Sequence, residues 1–297
     1  MSLNDNNTIG IKNMIFSILT SSNSARDKFI LIVAYALAAM FAIVIHEYAH
    51  ARVAVKCGDL TPKLAGRLTL NPMAHFDVFG LVLFFLIGFG WAKPVPINPD
   101  NFGHKKRDTI FTSLAGIFAN LLTAAVFLGV LCLINLIPED AVYASVFGEV
   151  LYFLVAYFLI YGIILNCSLM LFNILPVFPL DGFRVVEALA GPTNKYVKFM
   201  YRYGSWPLIV VLIAISFIPD KYNMFSLFLN AIYNLIFKVL GRPKGSTYRK
   251  LAKKHNKIVE LLEKKVSKAE IARLLDCDWN TLHRYIQECI IDKPKIA

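Results

Sequence analysis

The chain has 297 residues, 57% of them hydrophobic and 17% charged, with a mean hydropathy of +0.56. Soluble domains run at about 45–50% apolar and about 25% charged, so this composition excludes an ordinary soluble globular protein. The formal net charge of +11 admits either a nucleic-acid partner or the positive-inside bias of a membrane protein, and five cysteines without a CxxC pair exclude a disulfide framework and a cysteine zinc site.

Residues 1–28 form a polar N-terminal segment with no evident cleavage site. Phe29 to Ile45 is an unbroken apolar run, long enough to span a bilayer once the flanking residues are added. It continues into His46-Glu47-Tyr48-Ala49-His50. Phe76 to Trp91 is apolar but short, and Gly80, Gly88 and Gly90 interrupt it. Basic residues flank it on both sides (Arg52, Lys56, Lys63 and Arg67 before, Lys93, Lys105, Lys106 and Arg107 after). Both flanks therefore read as cytoplasmic, which favours a re-entrant or partly extended segment over a full span. Ile110 to Ile137 and Val150 to Leu175 read as further spans, with Trp206 to Ile218 and Met224 to Leu240 as shorter candidates. The expected fold is an all-α polytopic membrane protein with a re-entrant or partly extended segment, plus a small helical cytosolic tail.

Three regions follow: 1–28, a membrane domain over 29–240, and a tail over 241–297 that begins at Gly241-Arg242-Pro243-Lys244-Gly245. In the tail, Ser267-Lys268-Ala269-Glu270 has the form of a capping box ahead of Ile271, Leu274 and Leu275. A turn at Asp276-Cys277-Asp278 precedes a helix with Leu282 and Ile286. This resembles a trihelical helix-turn-helix unit, with Asn280, Thr281 and Arg284 as nucleic-acid contacts. A docking or regulatory helical domain with a cytosolic protein partner fits the same pattern.

The chemistry lies in the membrane domain. Residues four apart on a helix share a face, so His46 and His50 can bind one metal ion. Glu47 beside them is placed to take a proton from water, the physical content of H-E-x-x-H. Imidazole ligands and an open position suit zinc. Ionisable groups at membrane depth cost roughly 2.5–3.5 kcal/mol each on insertion scales, and a divalent cation compensates such a cluster. Asp181, in the proline-broken stretch Asn173 to Gly182, is the best third ligand. Locally it reads equally well as a helix N-cap. Asp77, Asp100 and Asp108 fit loop or cap roles. Asn120 and Asn173 are polar residues in apolar surroundings, suited to substrate or oxyanion contact or to packing between helices. His75 is expected to hydrogen-bond locally and His104 to be solvated.

Several stretches together resemble the site-2 protease family of intramembrane zinc proteases, in its short bacterial form. They are His46 to His50, Gly66 to His75, Gly90 to Pro96 with Asn98 and Pro99, Ala115 to Asn120, and Asn173 to Gly182. The resemblance covers about Phe29 to Leu240. Ile117 and Phe178 stand where the family usually has proline. The resemblance implies one zinc per chain on His46, His50 and Asp181, with Glu47 as general base. It implies cleavage of transmembrane protein substrates within the lipid bilayer, in a multi-pass protein of a bacterial plasma membrane whose active site faces the cytoplasm. A membrane-tethered DNA-binding or docking regulator, with the membrane part as anchor, is the competing function. It does not require the complete ligand set.

Overall fold

The computed structural model describes residues 25–77, 80, 93–142, 145–219, 221–240, 251, 254–264, 266–275, 282 and 286. Among these residues it is helical, and three helices are long and apolar enough to cross a membrane. They are α1 (Ala25–Lys56), α2 (Lys105–Ile134) and α3 (Val146–Asn173). At 1.5 Å per residue they run about 42–48 Å, against a hydrocarbon core of about 30 Å.

Local sequence sets where each begins and ends. No glycine or proline interrupts α1, and it stops at Cys57-Gly58, where Gly58 takes φ +106°. Helix α2 starts after His104, whose N–H donates to the Asp108 carboxylate at 2.7 Å, so Asp108 serves as a cap. Helix α3 is capped by Ser145, which accepts from the Gly148 N–H, and ends just before Pro176.

The three spans pack pairwise into a bundle. On α1 the buried set Leu31, Ala34, Tyr35, Ala38, Ala39 and Ala42 recurs at helical spacing and meets Tyr161 and Leu165 of α3. Four of the six are alanine, which lets the backbones approach closely where no hydrophobic drive separates helix from lipid. The outer face of α2 shows Phe111, Phe118, Leu122, Val126 and Leu133 exposed, an apolar surface suited to acyl chains.

Beyond α3 the chain turns through short helices. These are α4 (Asp181–Ala190), α5 (Lys195–Tyr203), α6 (Trp206–Phe217) and α7 (Met224–Leu240). Val177, Leu180 and Phe183 pack with Val197, Met200 and Leu208 in a cluster of their own. The last two helices are apolar but too short by length alone to count as spans.

Most of Phe76 to Trp91 lies outside the described residues. The two ends of the stretch are nevertheless joined, since the Lys93 N–H donates to the His75 carbonyl at 2.8 Å.

A separate compact unit begins at Phe237. It contains α8 (His255–Glu263) and α9 (Lys268–Leu274) around a core of Leu251, Ile258, Ile271, Ala272, Leu275, Leu282 and Ile286. The Ser267 hydroxyl accepts from the Glu270 N–H at 3.3 Å, half of the expected capping box.

Candidate active site

The end of α1, the start of α2 and the approach to α4 meet at one end of the bundle, and the candidate ligands meet there. His46 and His50 are buried, and the Asp181 side chain is 19% exposed. His46 Nε2 and His50 Nε2 each lie 3.1 Å from Asp181 Oδ2, and 3.0 Å from each other. Asp181 is the first residue of α4. The N-cap is Leu180 and no side-chain cap bond forms there, so the N-cap alternative for Asp181 does not hold.

The outer nitrogens of the two rings are already committed. His46 Nδ1 lies 2.7 Å from Asn120 Oδ1, and His50 Nδ1 lies 2.7 Å from the Thr112 carbonyl. Both partners are acceptors, so both rings carry their proton on Nδ1 and present a lone pair from Nε2. Two nitrogen lone pairs and a carboxylate oxygen then converge with no hydrogen between them. Asp181 Oδ2 is a buried oxygen with no hydrogen-bond donor. Such a cluster repels itself unless a cation sits within it. One ligand atom from each of the three residues lies within 4.8 Å of the other two, so the group could hold a metal ion. An N,N,O set of two imidazoles and a carboxylate suits zinc.

Gly116 of α2 completes the cradle. A Cβ there would lie 2.5 Å from His50 Nε2 and 2.6 Å from His46 Cε1. Only glycine lets α2 approach the two rings this closely.

Glu47 is half-buried beside the candidate ligands, and its Oε2 accepts the Val95 N–H at 3.2 Å. The path of the 93–98 segment is fixed from its far end by Asp59. This buried carboxylate accepts from the Thr61 N–H at 3.0 Å, the Asn98 N–H at 2.8 Å and Asn101 Nδ2 at 2.8 Å. Burial pushes the Asp59 carboxyl up, but the bonds from Asn101, Thr61 and Asn98 outweigh it and hold the group below the usual carboxylate value.

Residues 34–215 match the model of peptidase family M50, the site-2 protease family. The chain belongs to family M50. A relative in Bacillus subtilis (strain 168), carrying the name "Putative zinc metalloprotease YwhC", is 40% identical over 196 residues, which is 66% of this chain and 85% of the relative. No solved structure matches significantly. The matched stretch holds all the residues just described, and membership of M50 makes the protein a metalloprotease with membrane helices.

Asn120 is fully buried and reaches His46 with its oxygen and Asn166 with its nitrogen. Asn173 Nδ2 donates to the Leu169 carbonyl of its own helix at 3.0 Å. His75 is buried, with Nε2 2.8 Å from the Thr69 carbonyl. Asp77 accepts the Gly80 N–H, and Asp100 pairs with Lys105. Asn280, Thr281 and Arg284 lie outside the described residues. Sequence reasoning passed over Asp59 and Asn166, and it quoted Gly116 and Val95 only inside matched stretches, without a role. Asn166 left a readable trace, as an amide inside an apolar span.

Proposed function

We propose that the chain is a zinc-dependent intramembrane endopeptidase that cleaves transmembrane segments of other proteins. One zinc ion is held by His46, His50 and Asp181, and Glu47 is the general base. The observation that carries the reading is the convergence of two imidazole lone pairs and a carboxylate oxygen at the end of a bundle of membrane-length helices. Residues 29–240 form the protease domain in a bacterial plasma membrane, and 241–297 a small helical unit in the cytosol. The active site opens toward the cytoplasm, on the side of the basic flanks Lys93 to Arg107.

When bound, zinc supplies a Lewis acid that makes water acidic near neutral pH and polarises a carbonyl. The rest is done by the chain. The Val95 N–H holds one Glu47 oxygen, leaving the other to take a proton from the attacking water. As the C–N bond breaks, the same carboxyl delivers that proton to the leaving amine nitrogen. Asn120 and the Thr112 carbonyl keep both rings in the tautomer that faces the metal. The apolar walls of α1 and α3 keep bulk water from the bundle interior.

The test compares wild type, Glu47→Gln and Asp181→Ala in detergent, reading bound zinc and cleavage of a model transmembrane substrate. Glu47→Gln should keep one zinc and lose at least about 100-fold in cleavage rate. Asp181→Ala should lose both. A wild type without zinc would overturn the reading.

A further inference from the structure

His46 stands at the end of a chain of buried amides that joins all three spans. His46 Nδ1, on α1, lies 2.7 Å from Asn120 Oδ1 on α2. Asn120 Nδ2 donates to Asn166 Oδ1 on α3 at 2.9 Å, and Asn166 Nδ2 donates to the Gly162 carbonyl at 2.7 Å. Asn120 and Asn166 are both 0% exposed, so no solvent can substitute for any member.

The chain has a direction, and the backbone sets it. The Gly162 carbonyl can only accept, so the Asn166 NH2 must face it and the Asn166 oxygen must face α2. An oxygen there obliges Asn120 to turn its NH2 toward Asn166 and its oxygen toward His46. That oxygen in turn can only accept, so His46 carries its proton on Nδ1. Nε2 is then left bare toward Asp181 and His50. Reversing any one amide would set oxygen against oxygen or NH2 against N–H in a dry interior.

We propose that Asn166 is a positioning residue for the metal site, transmitting the polarity of the Gly162 carbonyl through Asn120 to fix the ligating tautomer of His46. It touches neither metal nor substrate. The proposal rests on the zinc reading above, and wild-type zinc binding tests that reading separately.

The experiment measures zinc affinity by chelator competition on the full-length chain in detergent. The visible spectrum of the cobalt-substituted protein reports ligand geometry, and circular dichroism checks the fold. Asn166→Ala should weaken zinc binding by about 10–100-fold, the usual effect of losing a partner behind a ligating histidine, and should alter the cobalt spectrum. Asn166→Leu fills the space without polar atoms and serves the same purpose if the alanine variant does not fold. Asn166→Asp offers an oxygen to Asn120 in either ionisation state and should restore affinity to within a few-fold of wild type. Ser168→Ala removes a comparable bond to the Ile164 carbonyl on the same helix, away from the chain, and should bind zinc normally. Because Asn166 acts only through Asn120, the Asn120→Ala/Asn166→Ala double variant should bind zinc no more weakly than Asn120→Ala alone. Wild-type affinity in folded Asn166→Ala or Asn166→Leu would overturn the proposal. So would losses that multiply in the double variant, or an aspartate variant as weak as the alanine one.

Discussion

Gly116→Ala probes the cradle with a single methyl group. The added Cβ would lie 2.5 Å from His50 Nε2, 2.6 Å from His46 Cε1 and 2.7 Å from His46 Nδ1. Ordinary carbon contacts begin near 3.5 Å, so the rings or α2 must withdraw by about 1 Å. Neither ring is free to retreat, because Asn120 and the Thr112 carbonyl hold their outer nitrogens. Metal–ligand distances tolerate only about ±0.2 Å. The loss should therefore exceed the roughly 100-fold typical of changes behind a ligand, and overpacking should cost about 1–3 kcal/mol of stability. The assay is zinc affinity by chelator competition together with a thermal melt. Gly129→Ala is the control on the same helix, since nothing lies within 4 Å of its added Cβ. It should leave zinc binding unchanged. Gly116→Ala protein that bound zinc with wild-type affinity would refute the close approach of α2 to the ligands.

Gly182→Ala should likewise weaken zinc binding, because its Cβ would lie 2.3 Å from the Ile174 carbonyl oxygen and 2.5 Å from that of Leu175, and the backbone beside Asp181 would have to shift. Zinc content of the purified variant checks this. Asp59→Asn should reduce the acid sensitivity of the fold. The Asp59 carboxyl is held below its ordinary value when folded, so its contribution is present above the unfolded value near 4 and is lost as pH falls through the lower folded value. Thermal melts of the zinc-free proteins between neutral pH and about pH 3 should fall less steeply for the variant than for wild type, and parallel curves would remove Asp59 from the account. Ser267→Ala should cost about 0.5–2 kcal/mol of helix stability in the tail and leave zinc binding untouched, read by circular dichroism and chelator competition together.

The parts of this molecule that were legible in the sequence are those governed by spacing along one helix. Apolar length revealed the three spans, because the bilayer imposes a length that composition cannot disguise. A four-residue interval put His46 and His50 on one face whatever surrounds them. The proline-broken stretch before Gly182 marked Asp181 as an acid with room to turn inward, though only the structure separated the ligand geometry from the cap geometry. Matched basic flanks around Phe76 to Trp91 put both flanks on one side of the membrane in the sequence reading, and the segment itself lies largely outside the described residues.

What remained hidden depends on register between helices. His46 and Asn120 are 74 positions apart, and Asn120 and Asn166 are 46 apart. Nothing local to Asn120 distinguishes a residue facing substrate from one behind a ligand. That choice depends on how far α3 slides along α1, which the Ala34, Ala38 and Ala42 stripe, repeating every turn, does not fix by itself. A slip of one helical turn, about 5.4 Å, would bring alanines of the same stripe back against α3. It would nonetheless carry Asn166 out of reach of Asn120 and leave Asn120 Nδ2 and Asn166 Oδ1 unpaired in a dry core. The amide chain therefore penalises the slipped packing that the alanines alone would tolerate, so the groups that orient His46 also select the register that brings the ligands together.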